Sequence, residues 1–441
     1  MADSNGATRS TETMTETPSV RANAPETSAS RGALAIVTVL FFMWGFLTSL
    51  NDILVPHLKA IFDLRYVEVM LIQFSFFSAY FVFAIPSAKL IECVGYKRTM
   101  VLGLMTMGAG ALLFVPAASV PSFPLFLTAL IVLAAGITAL QVSANPYVTV
   151  LGPPRTASSR LTLTQAFNSL GTTIAPFLGS LLVLSGAPKT IAEMRRLAPA
   201  DLEAYRLQEA ASVKLPYLGL ALAVLILGVL IAKSNLPGLA VERRDAAARA
   251  SVWKQRHLVL GAIATFVYVG AEVSIGSFLV NYLNQPDIGD LSETLAARYV
   301  SLYWGGAMIG RFVGSALLRR VPTGVLLGVF ATVASALVFT SMLTSGYIAM
   351  WSILLVGLFN SIMFPSIFAL AIDGLGPQTG KGSGMLVCSI VGGAVIPVLQ
   401  GALADNFGIH RAFILPALCY VYIIYFALRG SRRRTAVRCL Q

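Results

Sequence analysis

Two carboxylates interrupt apolar stretches of this sequence. Asp52 follows Asn51 in FFMWGFLTSLNDILVP, residues 41 to 56, and Glu272 lies in YVGAEVSIGSFLVNYL, residues 268 to 283. An ionisable group at membrane depth costs roughly 3 kcal/mol on insertion scales, so one that is retained there marks a pathway or a partnered pair. Because a carboxylate binds and releases a proton, Asp52 and Glu272 are candidate proton-coupling groups, with Asn51 a candidate substrate contact. For Asp52 the alternative is a structural pair with a neighbouring helix.

Four amide side chains follow with helical spacing. Gln141 and Asn145 are four positions apart and Gln165 and Asn168 are three apart, so each pair shares one face of its helix. Amides donate to and accept from hydroxyl groups, and an aromatic ring such as Trp44 can stack on the C–H face of a sugar. The pattern predicts a sugar site, and hydrogen bonding between helices is the alternative.

Other polar residues lie within or beside later apolar stretches. Asn281 and Asn360 are weaker candidates for substrate contacts. Arg311 is a candidate gating residue, or it forms a structural ion pair with Glu272. Arg160 and Lys381 open the fifth and eleventh apolar stretches and are candidate gating or structural residues.

Composition places these residues in a membrane. The chain is 56% hydrophobic and only 12% charged, with a mean hydropathy of +0.76, which leaves too little polar surface for a soluble protein. The net charge of +12 comes from Lys and Arg at the ends of apolar runs, a pattern of membrane topology rather than of nucleic-acid binding. The sequence has no nucleotide-binding loop, nucleophile elbow or metal-ligand spacing, so it predicts no enzyme, cofactor or metal site.

The chain after residue 32 divides into twelve apolar stretches, each near the ~20 residues that a helix needs to cross a bilayer. The sequence therefore predicts an all-α, polytopic membrane protein with twelve transmembrane helices. The predicted spans are 33 to 58, 67 to 91, 99 to 118, 123 to 150, 161 to 185, 215 to 232, 257 to 283, 296 to 318, 324 to 344, 347 to 373, 382 to 404 and 411 to 429.

Two sets of six spans are separated by a polar segment. The same number of residues separates Arg160 of the first set from Lys381 of the second, and the motif GTTIAP from the motif GGAVIP. This constant separation indicates that the two sets are copies of one six-helix unit, a pseudo-repeat. Most Lys and Arg lie in the tails and even-numbered loops, which predicts that both termini are cytoplasmic. The predicted parts are a disordered tail (1–32), an N-terminal bundle (33–232), a cytoplasmic linker (233–256), a C-terminal bundle (257–429) and a basic tail (430–441).

Several long motifs carry a resemblance to a known family. SLNDILVPHLKAIF, LQVSANPYVTVLGPP, SRLTLTQAFNSLGTTIAP and YVGAEVSIGSFLVNYL together resemble the fucose:proton symporter family of the major facilitator superfamily. Within that family the chain looks closest to the bacterial glucose/galactose transporter branch. The resemblance runs over all twelve spans and implies the major facilitator fold and sugar uptake.

The resemblance also implies roles for individual residues. It makes Asp52 the proton-linked carboxylate and makes Trp44, Gln165 and Asn168 sugar contacts. Two positions depart from the fucose branch: Gln141 stands where fucose symporters have a glutamate, and Ser49 stands where they have an asparagine. The glucose/galactose branch shares the glutamine, so Gln141 is interpreted as a substrate-facing amide.

These observations predict a monomeric transporter in a bacterial inner membrane that imports a neutral hexose of the glucose or galactose type by proton symport. Import of N-acetylglucosamine or fucose, sugar uniport and sodium coupling stay open. A proton-coupled exporter of hydrophobic cations is a further alternative, which the four amides disfavour. The partners expected are a sugar, a proton and the lipid bilayer, without nucleic acid and without a cofactor.

Overall fold

The computed structural model describes residues 28–62, 66–119, 122–182, 191–194, 196–212, 214–237 and 251–432. Side chains are described for these ranges except at 28–30, 50–62, 66–73, 177–182, 191–192, 209–210 and 212. The described ranges contain helices and turns but no strand, which confirms the all-α prediction. Of the predicted disordered tail, only its last five residues fall within these ranges, and they are helical.

The first helix set contains five long helices, two short ones and a final long one. Its first helix begins at Ser28, five residues before the predicted span, and so extends the apolar segment by about one turn. A helix of 14 residues, Pro199–Ser212, lies between the fifth and sixth predicted spans. The helices are α1 (Ser28–Phe62), α2 (Tyr66–Val94), α3 (Tyr96–Ser119), α4 (Phe123–Val150), α5 (Ala157–Leu182), α6 (Ile191–Met194), α7 (Pro199–Ser212) and α8 (Lys214–Lys233).

The second helix set follows the linker, and three of its predicted spans are each built from two helices. A 3₁₀ turn over Val252–Lys254 precedes this set. The helices are α9 (Arg256–Leu283), α10 (Glu293–Leu317), α11 (Thr323–Leu343), α12 (Gly346–Asn360), α13 (Met363–Ile372), α14 (Thr379–Cys388), α15 (Gly392–Phe407), α16 (Ile409–Ala412) and α17 (Ile414–Tyr425).

Ten segments of the described chain are long and apolar enough to cross a membrane. They correspond to ten of the twelve predicted spans, so the protein is a multi-pass membrane protein. The other two predicted spans, α5 and α10, are helices of 26 and 25 residues. Their lower apolar content fits their place, because they pack against each other, with Phe167 and Phe312 ring centroids 5.7 Å apart. For these two helices the crossing stays a prediction.

The break between α12 and α13 follows from a proline. Pro365 has no N–H to donate to the carbonyl of Ser361, four residues earlier. The backbone turns at Ser361 and Ile362, and the free carbonyl of Ser361 accepts a hydrogen bond of 3.3 Å from Arg311 Nε. A charged side chain from α10 thereby replaces the missing helical donor.

The two helix sets touch at the end of the bundle where α8 ends and α9 begins, which we call the linker end. Ser159 Oγ of α5 donates to the carbonyl of Ser315 of α10 at 2.6 Å, and both residues are buried. Lys97 marks the same end, because its ammonium donates to the carbonyls of Ala232 and Ser234 beside the end of α8. Hydrogen bonds thus join the two sets at the linker end.

Candidate functional site

Close packing of α1 on α5 positions the first group of candidate residues. A Cβ at Gly45 would overlap the main-chain carbonyl of Asn168, and one at Gly171 would overlap the carbonyl of Phe42. Glycine is therefore needed on both helices for this approach. At the contact, Asn168 Nδ2 donates to the carbonyl of Phe41 at 2.9 Å. One amide hydrogen of Asn168 thus fastens α5 to α1.

Trp44 lies on α1 just after this contact. Its side chain is 6% exposed, and its ring centroid lies 5.4 Å from that of Phe41. Asn51 and Asp52 lie further along the same helix, but their side chains fall outside the described residues. Their predicted roles therefore stay predictions.

A proline on α5 creates a second link to α1. Pro176 leaves the carbonyl of Thr172 without its helical donor, and Ser49 Oγ donates to that carbonyl at 3.1 Å. Ser49 is one of the two residues that depart from the fucose branch. In this chain it secures α1 three positions before Asp52.

Three of the four predicted amides lie together inside the first helix set. Gln165 Nε2 of α5 lies 3.4 Å from Asn145 Oδ1 of α4 and donates to it. Gln141, one turn from Asn145, donates through Nε2 to the hydroxyl of Tyr80 on α2 at 3.1 Å. All three amide side chains are at least 95% buried. The amides therefore form one polar cluster between α2, α4 and α5.

Two atoms of this amide cluster have no hydrogen-bond partner among the residues whose side chains are described. They are Gln141 Oε1, an acceptor, and Asn145 Nδ2, a donor. A buried polar atom left unpaired costs about 1–3 kcal/mol, so native structures retain such atoms where a ligand or water completes them. One free acceptor and one free donor, a helical turn apart, suit a hydroxylated ligand.

In the second helix set, Glu272 and Asn360 lie within a group of buried tyrosines. Tyr268 donates through its hydroxyl to Glu272 Oε1 at 2.7 Å, one turn away on α9. Asn360 Nδ2 donates to the hydroxyl of Tyr303 at 2.8 Å, and Tyr420 donates to Asn360 Oδ1 at 2.7 Å. These contacts engage both amide atoms of Asn360 and leave at most one amide hydrogen for a ligand.

Arg311 connects this tyrosine group to the first helix set. Its Nη2 lies 3.9 Å from Glu272 Oε1, with the two side chains 15% and 13% exposed. Its Nη1 donates to Ser169 Oγ on α5, and its Nε holds the carbonyl of Ser361. One guanidinium thus contacts a carboxylate of its own set and a hydroxyl of the other set.

The remaining predicted residues lie apart from these groups. Arg160 is buried and donates to the carbonyls of Val148, Thr149 and Pro153, which caps the end of α4. Asn281 is exposed near the end of α9, about 13 Å along the helix from Glu272 at 1.5 Å per residue. The structure does not bring Asn281 to either polar group.

Lys381 contributes an ion pair between the helix sets at the linker end. Its Nζ lies 3.2 Å from Glu92 Oε1 at the end of α2, and both side chains are more than one third exposed. Arg160 and Lys381, which occupy matching positions in the two sets, therefore have different structural roles. Arg160 caps a helix within its own set, and Lys381 forms an ion pair between the two sets.

The sequence and the fold were compared with known proteins. The model of the Major Facilitator Superfamily matches residues 35–387. A glucose/galactose transporter of Brucella abortus is 53% identical over 412 residues, which cover 92% of this chain and 97% of the relative. The chain belongs to the Major Facilitator Superfamily. The L-fucose-proton symporter of Escherichia coli is 34% identical over 435 residues, which cover 96% of this chain and 99% of the relative.

A solved structure agrees with this assignment. The crystal structure of FucP, the Escherichia coli fucose:proton symporter, in the outward conformation gives a TM-score of 0.86 at 34% identity, covering 92% of this chain and 100% of FucP. The resemblance to the fucose:proton symporter family is thus confirmed. Members of the superfamily are transporters, so the prediction that this protein is not an enzyme is also confirmed.

The sequence pattern did not predict several residues of the two polar groups. Tyr80, Tyr303 and Tyr420 lie in apolar runs, where a buried tyrosine looks like an ordinary core residue. Tyr268 had a usable signal, because it stands four positions before Glu272 on the same helical face. Ser169 had none, because its partner Arg311 comes from the other helix set.

Proposed function

We propose that this protein imports a neutral hexose of the glucose or galactose type by proton symport across a bacterial inner membrane, acting as a monomer. The observation that carries the proposal is the pair of unpaired amide atoms, Gln141 Oε1 and Asn145 Nδ2, in the buried cluster with Gln165. The relatives named glucose/galactose transporter and L-fucose-proton symporter support the substrate class and the proton.

A neutral sugar suits this cluster better than an ion does. Each sugar hydroxyl is both donor and acceptor, so it can satisfy the free acceptor of Gln141 and the free donor of Asn145 together. A cation would leave the amide donor unpaired, and an anion would leave the amide acceptor unpaired. Trp44 on the adjacent helix α1 offers an aromatic face for the C–H side of the sugar.

Proton coupling requires a carboxylate that changes charge during the cycle. We assign this role to Asp52, with Glu272 as a second candidate. Ionised Glu272 attracts Arg311, whereas protonated Glu272 leaves Arg311 with only neutral contacts, one of them Ser169 of the first set. Protonation of Glu272 thus alters a contact that also joins the two helix sets.

Alternating access then follows from motion of residues 33–232 against residues 257–429. We propose that the linker end faces the cytoplasm together with both termini, as the Lys and Arg distribution predicts. The two sets touch at that end through Ser159 and Lys381, so the described state corresponds to one that is closed toward the cytoplasm. The outward conformation of FucP supports this assignment.

Counterflow in proteoliposomes tests the substrate. Vesicles loaded with unlabelled sugar and diluted into labelled glucose, galactose, N-acetylglucosamine or fucose report exchange without a gradient. We expect overshoot with glucose and galactose and a smaller or absent overshoot with the other two. Exchange of fucose alone, or of none of the four, would contradict the proposed substrate class.

The coupling ion is tested separately with the same vesicles. Accumulation should follow an imposed pH gradient and should be insensitive to replacing sodium with potassium. Uptake that never exceeds equilibration under any gradient would instead show a uniporter.

A further inference from the structure

A recess opens on the outer surface of the bundle at the linker end, away from the amide cluster. Its volume is about 720 Å³. Its walls come from α2 of the first helix set, α9 and α14 of the second, and the 3₁₀ turn that holds Trp253. Because both sets contribute, the shape of the recess depends on how the sets meet.

The inner lining of the recess is apolar. Phe81 and Ile85 of α2 lie on one side, and Ile263, Phe266 and Met385 lie on the other. Phe81 and Ile85 are 55% and 54% exposed, on the outer face of helices that cross a membrane, where lipid chains surround them. A recess of this lining and position accepts an acyl chain.

The rim of the recess is cationic and aromatic. Lys89 and Lys381 both line it, and Trp253 is 69% exposed beside them. Lys381 is paired with Glu92, whereas Lys89 is exposed and forms no hydrogen bond or ion pair within the described ranges. Lys254, the last residue of the turn, and Arg256, just after it, are also exposed. The rim therefore carries a net positive charge.

We propose that this recess binds one anionic phospholipid of the leaflet at the linker end. The phosphate and its anionic headgroup lie against Lys89 and Lys381, the indole of Trp253 lies at the interface, and an acyl chain fills the recess. Each lysine near an anionic headgroup contributes about a fivefold preference, and tryptophan favours the level of the headgroups.

Binding at this place has a consequence for the transport cycle. The lipid would touch α2 of one set and α14 of the other, beside the ion pair of Lys381 with Glu92. A ligand that binds one arrangement of two bodies more tightly shifts the equilibrium toward it. The proposed lipid therefore favours the state in which the sets meet at the linker end.

Native mass spectrometry of the purified full-length protein tests the site without reference to transport. The protein in detergent is titrated with phosphatidylglycerol or phosphatidylcholine, and the fraction that retains one lipid is measured. We expect at least a fivefold preference for phosphatidylglycerol. Lys89→Gln should reduce this preference about fivefold, while Lys233→Gln, an exposed lysine at the same end but outside the recess, should leave it unchanged.

A second variant addresses the acyl chain. Ile263→Trp places a large side chain in the recess from the lipid-exposed face of α9, where Ile263 is 43% exposed, so the helix core stays intact. It should lower retention of either lipid. Equal retention of the two lipids by the wild type, or an unchanged preference in Lys89→Gln, would overturn the proposal. Displacement of the lipid by millimolar inorganic phosphate would also overturn it, because it would show a site for soluble phosphate.

Discussion

Ser383 Oγ donates a 2.7 Å hydrogen bond to the main-chain carbonyl of Val142, and both residues are fully buried. The carbonyl is available because Pro146, four residues later on α4, has no N–H to offer it. Ser383 belongs to α14, so this bond joins the two helix sets. A proline beside the amide cluster thus creates an acceptor that the opposite set uses when the sets are closed at the linker end.

Ser383→Ala should weaken this closed state. Loss of the donor leaves the carbonyl of Val142 unpaired at a cost of about 1 kcal/mol, which should raise the fraction of separated helix sets about fivefold. Spin labels on exposed Cys93 and on Pro377→Cys, with the other cysteines replaced by serine, report the separation of α2 from α14.

The matched control for that change is Ser389→Ala. Ser389 Oγ donates to the carbonyl of Met385 within its own stretch of helix, so its loss leaves the contacts between the sets intact. Equal distance distributions for Ser383→Ala and the wild type would contradict the assigned role of the bond.

Sequence reasoning reached the fold because membrane helices are encoded by local composition. The lengths of the apolar runs predict the membrane spans. The matching positions of Arg160 and Lys381 indicate that the two six-helix sets are related copies. The different uses of those two residues depend on which atoms meet after folding. Arg160 reaches carbonyls exposed by the end of α4, whereas Lys381 meets Glu92 of the opposite set. Residue type and spacing do not encode that difference.

Gln141→Met should separate ligand binding from stability. Replacing Gln141 with an apolar side chain of similar shape removes its unpaired buried acceptor but also its hydrogen bond to Tyr80. Because the two effects partly offset each other, the free energy of unfolding should change by only about 1 kcal/mol. The apparent affinity for sugar in counterflow should fall about tenfold, since a hydrogen bond to substrate is lost. A large loss of stability with unchanged affinity would show that Gln141 is a packing residue.

Asn360→Leu, in contrast to Gln141→Met, should mainly lower the stability of the protein. Both amide atoms of Asn360 are engaged, by Tyr303 and Tyr420. Its replacement leaves the buried hydroxyl of Tyr420 without its acceptor and removes the donor to Tyr303, whose own hydroxyl still donates to the carbonyl of Glu272. We expect a loss of about 2 kcal/mol in the free energy of unfolding. Thermal unfolding in detergent, monitored by tryptophan fluorescence, measures it, and an unchanged midpoint would contradict the described network.

The pair of Glu272 and Arg311 should show strong coupling. Glu272→Gln leaves a largely buried guanidinium without its counter-charge, which costs up to about 3 kcal/mol, and Arg311→Gln leaves a largely buried carboxylate without its partner. The double variant removes both charges and should recover at least half of the stability lost by either single variant. Additive losses in the double-mutant cycle would show that the two groups do not interact.

Arg160→Leu should lower stability without changing sugar selectivity. The substitution leaves several carbonyls at the end of α4 without a donor, and we expect a loss of about 2 kcal/mol or more. Lys381→Gln should cost no more than about 1 kcal/mol, because the ion pair with Glu92 is largely solvated. The ranking of the two melting midpoints checks this, and the reverse ranking would contradict it.

The amide site was predictable in part. The spacing of amides on α4 and α5 identified Gln141, Asn145 and Gln165 as candidate site residues, because residues three or four positions apart lie on one face of a helix. That face turns toward Tyr80 on α2, a neighbour that no local pattern specifies. The engagement of Asn168 with the backbone of α1 likewise depends on Gly45 and Gly171, which allow a close approach. Distant packing decides which amides stay free.

The most direct measurement of the central claim is the proton movement that accompanies sugar entry. Lightly buffered, de-energised vesicles containing the wild type should take up protons when glucose or galactose is added, so the external pH should rise. Asp52→Asn should abolish this rise and gradient-driven accumulation while counterflow persists. An undiminished rise in external pH with Asp52→Asn would contradict coupling through Asp52.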